Sequence, residues 1–235
     1  MDIIWSGVKE GLHLFLTGDP VLWEIIWRSA QVSGIALVIS TVLGIPLGAL
    51  LGLVHFRGQR WIHALVYTGM GFPPVVIGLA VYLMLSRSGP LAPLNLPWLP
   101  ALFTVPAMIL AQVIIATPLI VGYTMSAVAA IAPNLRLQLQ ALGATPFQVT
   151  LAVLREARYG VLVAVIGGLG SIISELGAVM MVGGNIDRAT RVLTTAIMLE
   201  TRRGNFDLAI GLGLVLLGLS FVINLAAAQL QGKTA

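Results

Sequence analysis

Apolar residues in this chain neither alternate with polar ones nor recur as a narrow stripe; they run on. Five stretches are long enough for a bilayer-crossing helix, which needs about 20 mostly apolar residues: 29–54, 64–85, 101–131, 159–182 and 206–230. Each predicts a transmembrane helix. A transmembrane barrel would instead show segments of about ten residues with alternating polarity. Ahead of the five, residues 3–16 (IIWSGVKEGLHLFL) are apolar in part but carry Lys9, Glu10 and His13. That mixture predicts an amphipathic helix lying along the membrane surface. It lacks a basic start and a clean small-residue cleavage site, so it is not read as a removed signal peptide. The chain therefore divides into an interfacial segment, 1–24, and a membrane domain, 25–231, whose longest polar excursion is 132–158.

Proline and glycine punctuate the spans at Pro46, Pro73, Pro74, Pro106 and Pro118 and at Gly167, Gly168 and Gly170. Such residues are tolerated in lipid because neighbouring helices satisfy the freed backbone groups. Gly44 and Gly48 have the spacing that lets two helix backbones approach. Two readings stay open at this point: ordinary helix packing, or a pathway shaped by a kink at Pro73 and Pro74.

Composition supports the membrane reading. Of 235 residues 58% are apolar and 9% charged, against roughly 25% charged in a soluble domain. There is no cysteine, which excludes disulfides, thiolate metal sites and a cysteine nucleophile. The net charge of +4 reflects few acids, and no basic run interleaved with aromatics points to nucleic acid. Arg57, Arg60, Arg136, Arg155 and Arg158 lie in two connections that the positive-inside rule places in the cytoplasm, with the N-terminus outside and the C-terminus, bearing Lys233, inside. The opposite side then holds Lys9, Arg28, Arg87, Arg188, Arg191, Arg202 and Arg203, so the rule alone does not fix the orientation.

Residues 133–158 (PNLRLQLQALGATPFQVTLAVLREAR) open with alternating Leu135, Leu137 and Leu139, a strand pattern with no partner strand. As a helix, the same residues put Leu135, Leu139 and Leu142 on one face and end at Gly143, suited to a left-handed C-cap. Thr145 then caps a second helix with Pro146 at its first position. The expectation is two short helices joined by a tight turn.

That turn, Gln140-Ala141-Leu142-Gly143-Ala144-Thr145-Pro146, resembles the cytoplasmic signature of ABC importer permeases. Gly143 stands at the motif glycine and Val153 at the motif isoleucine, while Leu137-Gln138-Leu139 replaces Glu-Ala-Ala and Arg155-Glu156 replaces Leu-Pro. Phe72-Pro73-Pro74-Val75-Val76-Ile77-Gly78 and Leu85-Ser86-Arg87-Ser88-Gly89-Pro90-Leu91 resemble the molybdate and tungstate branch. Ser174-Glu175-Leu176-Gly177-Ala178 through Ile186, and Thr190 through Ile197, are more similar to tungstate permeases. The resemblance spans about 25–230. It implies an all-α integral membrane protein, a type I ABC importer permease-like bundle of about five transmembrane helices plus the N-terminal interfacial helix. It further implies a homodimer in membrane lipid, two ATPase subunits that bind ATP and Mg, and an extracytoplasmic binding protein that delivers tungstate, with molybdate or sulfate as alternatives. Coupling to the ATPase would fall to Leu135, Leu139, Gln140, Ala141, Leu142, Gly143, Ala144, Thr145 and Pro146.

Inside the membrane, Glu175 is the one acid well within a span. A carboxylate there costs on the order of 2.5–3.5 kcal/mol on insertion scales, which makes it a functional candidate. It either braces a gate through hydrogen bonds to hydroxyl or backbone groups, or sits solvated near the outer end. Pro73, Pro74, Glu175, Gly177, Met180, Met181, Gly183, Gly184 and Asn185 form the gate or pathway set; methionines beside glycines suit a hydrophobic constriction, and also plain packing. The stretch 183–205 reads as a loop whose Arg188 and Arg191 suit an oxyanion, with Asp187, Glu200 and Asp207 near enough to neutralise part of that charge.

No energy source is encoded. Gly232-Lys233-Thr234 lacks the leading glycine of a phosphate-binding loop and the chain ends directly after it. There is no HExxH, and His13, His55 and His63 fall at membrane edges, so no metal site is assigned. An intramembrane enzyme would need polar companions for Glu175 within the spans. A secondary transporter would show internal repeats, and none is detected.

Overall fold

The structure, a computed structural model, describes residues 2–54, 56–94, 96–131 and 133–232. His55, Lys233 and Thr234, singled out above, lie outside the described residues. Eleven α-helices account for most of what is described, with no strand among the described residues: α1 (Asp2–Thr17), α2 (Pro20–Leu53), α3 (Gln59–Met70), α4 (Pro74–Leu85), α5 (Val105–Ala129), α6 (Pro133–Ala141), α7 (Pro146–Glu156), α8 (Arg158–Ser174), α9 (Gly177–Gly183), α10 (Leu193–Arg203) and α11 (Phe206–Gly232).

The long helices α2, α5 and α11 are each apolar enough to cross a bilayer, and two bent helix pairs bring the possible spans to five. Helices α2 and α5 form the spine. In lipid, helices associate through close packing of small residues rather than through the hydrophobic effect. Gly44 and Gly48 do this here: a methyl added to either would come within 2.7 Å of Ile120 Cγ2 or 2.6 Å of the Val121 carbonyl oxygen. Ala36, Ala107, Ala111 and Ala116 are fully buried along the same seam.

Four features depart from the sequence reading. The first span begins at Pro20, nine residues before 29 and inside the segment taken as interfacial, because Asp19 Oδ1 accepts the Leu22 N–H at 2.8 Å and Pro20 sits at the first helical position. The second span is not one helix: the Pro73-Pro74 pair breaks it into α3 and α4, bent by 98°, since neither proline has an N–H to continue the ladder. The fourth span breaks at Glu175, whose backbone is extended (ψ 122°). The stretch 183–205 is not a loop throughout. It contains α10, whose first N–H, that of Leu193, bonds Ser29 Oγ at 2.8 Å and which packs on α11 and α2. Helix α1 lies against α11, with Ser6 Oγ donating to Asp207 Oδ1 at 2.6 Å.

Candidate functional site

The two broken spans meet. Gly177, the first residue of α9, and Gly78 of α4 face each other's helices so closely that a Cβ on Gly177 would lie 2.5 Å from Val75 Cγ2 and one on Gly78 2.5 Å from Ala178 Cα. This contact sets the Glu175–Gly177 break beside the α4 half-helix that starts at Pro73 and Pro74. A concavity of about 280 Å3 opens at those prolines, bordered by Gly69 and Met70 at the end of α3, Gly71 and Phe72 of the turn, Ile115 of α5 and Ser171 of α8.

Polar side chains hold the second break on both sides. Glu175 is 7% exposed, and its Oε1 accepts the Ala178 N–H at 2.7 Å, which satisfies a free donor in the first turn of α9. Thr194 Oγ1 donates to the Glu175 carbonyl at 3.1 Å. Gln112 of α5, 4% exposed, donates through Nε2 to the Ile172 carbonyl at 3.2 Å and so covers an acceptor at the end of α8. Of the two readings left open for Glu175, the geometry matches bonding to backbone groups. Gln112 and Thr194 escaped the sequence reading. Gln112 had a signal, as the one amide in an otherwise apolar span; Thr194 had none, because its partner is distant in sequence.

At the far end of α9 the chain turns sharply. Gly184 and Asn185 have positive φ (71° and 51°), and the Ala189, Thr190 and Arg191 N–H groups converge on the Ile186 carbonyl. The buried Thr190 hydroxyl donates to the Gly183 carbonyl and accepts the Ile186 N–H at 2.9 Å. Phe103, also at positive φ (61°), bonds the Val182 carbonyl through its N–H at 2.8 Å and lies over Gly184. Met180 and Met181 are half-buried in α9. Arg191 pairs with Asp187 at 2.7 Å and Arg203 with Glu200 at 2.9 Å. Asp207 accepts from Ser6 rather than from an arginine. Arg188 is exposed and has no carboxylate within ion-pair distance among the described residues.

At the opposite end of the bundle, α6 and α7 form the expected helix pair. Gly143 adopts φ +84° and its N–H bonds the Gln140 carbonyl at 3.0 Å, while the Ala144 N–H bonds that of Leu139 at 3.0 Å. Thr145 and Gln148 make a reciprocal capping box. Val149 and Val153 are buried against Ala49 of α2 and Val128 of α5, with Leu139 packed on the same cluster. The single apolar face expected of Leu135, Leu139 and Leu142 divides. Helix α6 stops at Ala141, so Leu142 falls in the turn, 85% exposed beside Phe147 at 75%, while Leu135 and Leu139 are half-buried. Gln140, Ala141 and Pro146 are exposed and Ala144 half-buried. Arg136, not singled out as part of the coupling set, reaches back to two helix ends, with Nη2 3.2 Å from the Val128 carbonyl and 3.5 Å from that of Gly52.

Comparison with known proteins gives consistent matches. Residues 44–234 match the family of binding-protein-dependent transport system inner membrane components. A probable anion ABC transporter permease protein of Haloferax volcanii is 43% identical, over 94% of this chain and 97% of the relative. A tungstate uptake system permease protein of Peptoclostridium acidaminophilum is 38% identical, over 98% and 99%. Among solved structures, a bacterial ABC transporter involved in the import of the acidic polysaccharide alginate superposes with a TM-score of 0.77 at 21% identity, over 94% of this chain and 82% of that one. This last likeness concerns the fold.

Proposed function

The chain belongs to the family of binding-protein-dependent transport system inner membrane components, and on that premise we propose that it forms the membrane pathway for tungstate in an ATP-driven importer. It is a multi-pass inner-membrane transport subunit and not an enzyme; ATP hydrolysis, with its Mg, belongs to a separate subunit. The observation that carries the reading is the α6–α7 turn. Two large apolar side chains, Leu142 and Phe147, stand exposed on a rigid, doubly capped helix pair that is anchored to α2 and α5. An apolar knob on a fixed support suits a groove on a partner.

The working arrangement is a homodimer with a C2 axis between two copies, because five spans from one chain scarcely enclose a pathway gated at both ends. Two ATPase subunits bind beneath the α6–α7 turns, and a binding protein delivers the oxyanion from the other side. This puts the N-terminus outside and the C-terminus in the cytoplasm, with Arg188 and Arg191 on the outer surface. The pathway runs beside the close contact between α4 and α9, on the side of the concavity at Pro73 and Pro74. There Pro73, Pro74, Glu175, Gly177, Met180 and Met181 border it, and Gly183, Gly184 and Asn185 close its outer end.

Competitive uptake tests the substrate. In proteoliposomes holding the permease, its ATPase and its binding protein, labelled tungstate accumulates on ATP addition, and unlabelled tungstate competes better than molybdate or sulfate. Equal competition by molybdate or sulfate would refute the tungstate assignment. Uptake that persists without the ATPase subunit would refute the ATP-driven mechanism.

A further inference from the structure

Glu175 borders a second space. Between α2, α5, α8 and α11 lies a cavity of about 270 Å3 with a mostly aliphatic wall, and five residues with oxygen-bearing side chains are among those that line it: Ser29, Ser33, Gln112, Glu175 and Thr194. Ser29 and Ser33 are one turn apart on α2 and so share a face. The Glu175 carboxylate accepts the Ala178 N–H, and among the described residues no Lys, Arg or His comes within ion-pair distance of it. Gln112 uses its Nε2 on the Ile172 carbonyl and leaves its buried Oε1 with no partner. A carboxylate withdrawn from water needs compensation. One N–H at the start of a two-turn helix supplies only part of it.

Two groups here are uncompensated, the Glu175 carboxylate and the Gln112 Oε1; Ser29 already donates to the Ile25 carbonyl and accepts the Leu193 N–H, and Thr194 donates to the Glu175 carbonyl, so each of these hydroxyls offers only a remaining oxygen lone pair. A carboxylate, an amide oxygen and three hydroxyls are hard oxygen donors, the kind that hold hard cations, and a broken helix at membrane depth is where coupling ions lodge in other transporters. A single acid matches a single positive charge. We propose that this cavity binds one alkali cation, Na+ or K+, on the Glu175 carboxylate, with Gln112, Ser29, Ser33, Thr194 and water completing its shell. The bound cation cancels the charge that would repel a divalent oxyanion passing the α4–α9 contact. That consequence rests on the importer reading; the cation site itself does not.

The test uses the permease assembled with its ATPase, at constant ionic strength in NaCl, KCl or N-methyl-D-glucamine chloride. Na+ or K+ raises the thermal unfolding midpoint by about 4 °C when the cation stands near ten times its dissociation constant. Glu175→Gln and Gln112→Leu lose that shift, whereas Glu24→Gln, half-buried on α2 beside Arg28 and not among the residues lining the cavity, keeps it. Crystals soaked in Rb+ show anomalous density beside Glu175, a readout that needs no variant. An identical midpoint in all three salts, a shift that survives Glu175→Gln, or stabilisation that follows pH alone overturns the site. A cation shift in a complex that takes up no tungstate counts against the importer reading and leaves the site standing.

Discussion

Single positions in this protein are constrained in two different ways, and substitution separates them. At Gly143 a Cβ would meet nothing within 4 Å, yet φ is +84°, a conformation that costs L-residues roughly 1–2 kcal/mol. The constraint is on backbone shape alone. Gly143→Val therefore leaves insertion and expression intact but lowers substrate-stimulated ATP hydrolysis and uptake several-fold. Gly143→Asn, which tolerates the left-handed region, retains most of both. Equal loss with Asn and Val would show that the side chain, not the turn, is what matters. At Gly78 the reverse holds, because an added methyl would lie 2.5 Å from the Ala178 backbone and nothing there can swing aside. Gly78→Ala forces α4 and α9 apart, at about the 1–3 kcal/mol typical of overpacking. A lowered unfolding midpoint of the detergent-purified complex reads it out.

Among the helices, what the sequence made legible was length and hydropathy, and what it hid was continuity. Residues 206–230 read as one span and are one, α11, with no proline inside that stretch to interrupt the ladder. Residues 64–85 and 159–182 have the same hydropathy but are broken. Pro73 and Pro74 announced the first break as a kink, and its size depends on packing that no local pattern encodes. The second turns on Glu175 in the α8–α9 break, Gln112 of α5 and Thr194 of α10, which converge only in the fold. At the α6–α7 turn Gly143 and the Thr145-Pro146 start were legible, since a left-handed glycine and a Thr-Pro start are local signals, whereas the stop of α6 at Ala141, which leaves Leu142 in the turn, was not. Arg136 was not, because its acceptors lie on α2 and α5. A guanidinium over the carbonyl ends of two helices favours their dipoles and ties α6 to both. Arg136→Gln frees α6 while Val149 and Val153 still hold α7. The expected result is an intact complex whose ATP hydrolysis continues while uptake per ATP falls. If uptake and hydrolysis fall in equal proportion, Arg136 acts only on stability.

Across the whole molecule, the two ends differ in the side chains that their turns expose. On the α6–α7 end, Leu142 and Phe147 project without any acid or base as close company in the turn, so Leu142→Glu with Phe147→Glu abolishes co-purification of the ATPase and leaves the permease in the membrane; retention of the ATPase would move its docking surface elsewhere. At the α9–α10 end Arg191 is tied to Asp187 and Arg203 to Glu200, and Arg188 is exposed with no carboxylate in reach among the described residues. The backbone of Arg188 is itself held, since Arg28 Nη2 donates to its carbonyl at 3.3 Å. A fixed, solvated cation of this kind acts over about a Debye length, roughly 10 Å at 0.1 M salt and 3 Å at 1 M, so it changes the arrival of a divalent anion or of an acidic carrier surface rather than the strength of a buried contact. Arg188→Gln then lowers the uptake rate at limiting tungstate and low ionic strength by about two- to five-fold. It leaves the maximal rate unchanged, and the difference vanishes near 1 M salt. Arg191→Gln, already half-neutralised by Asp187, has a smaller effect. An Arg188→Gln deficit that persists in high salt would mean a direct contact, and an absent deficit would remove Arg188 from the transport cycle.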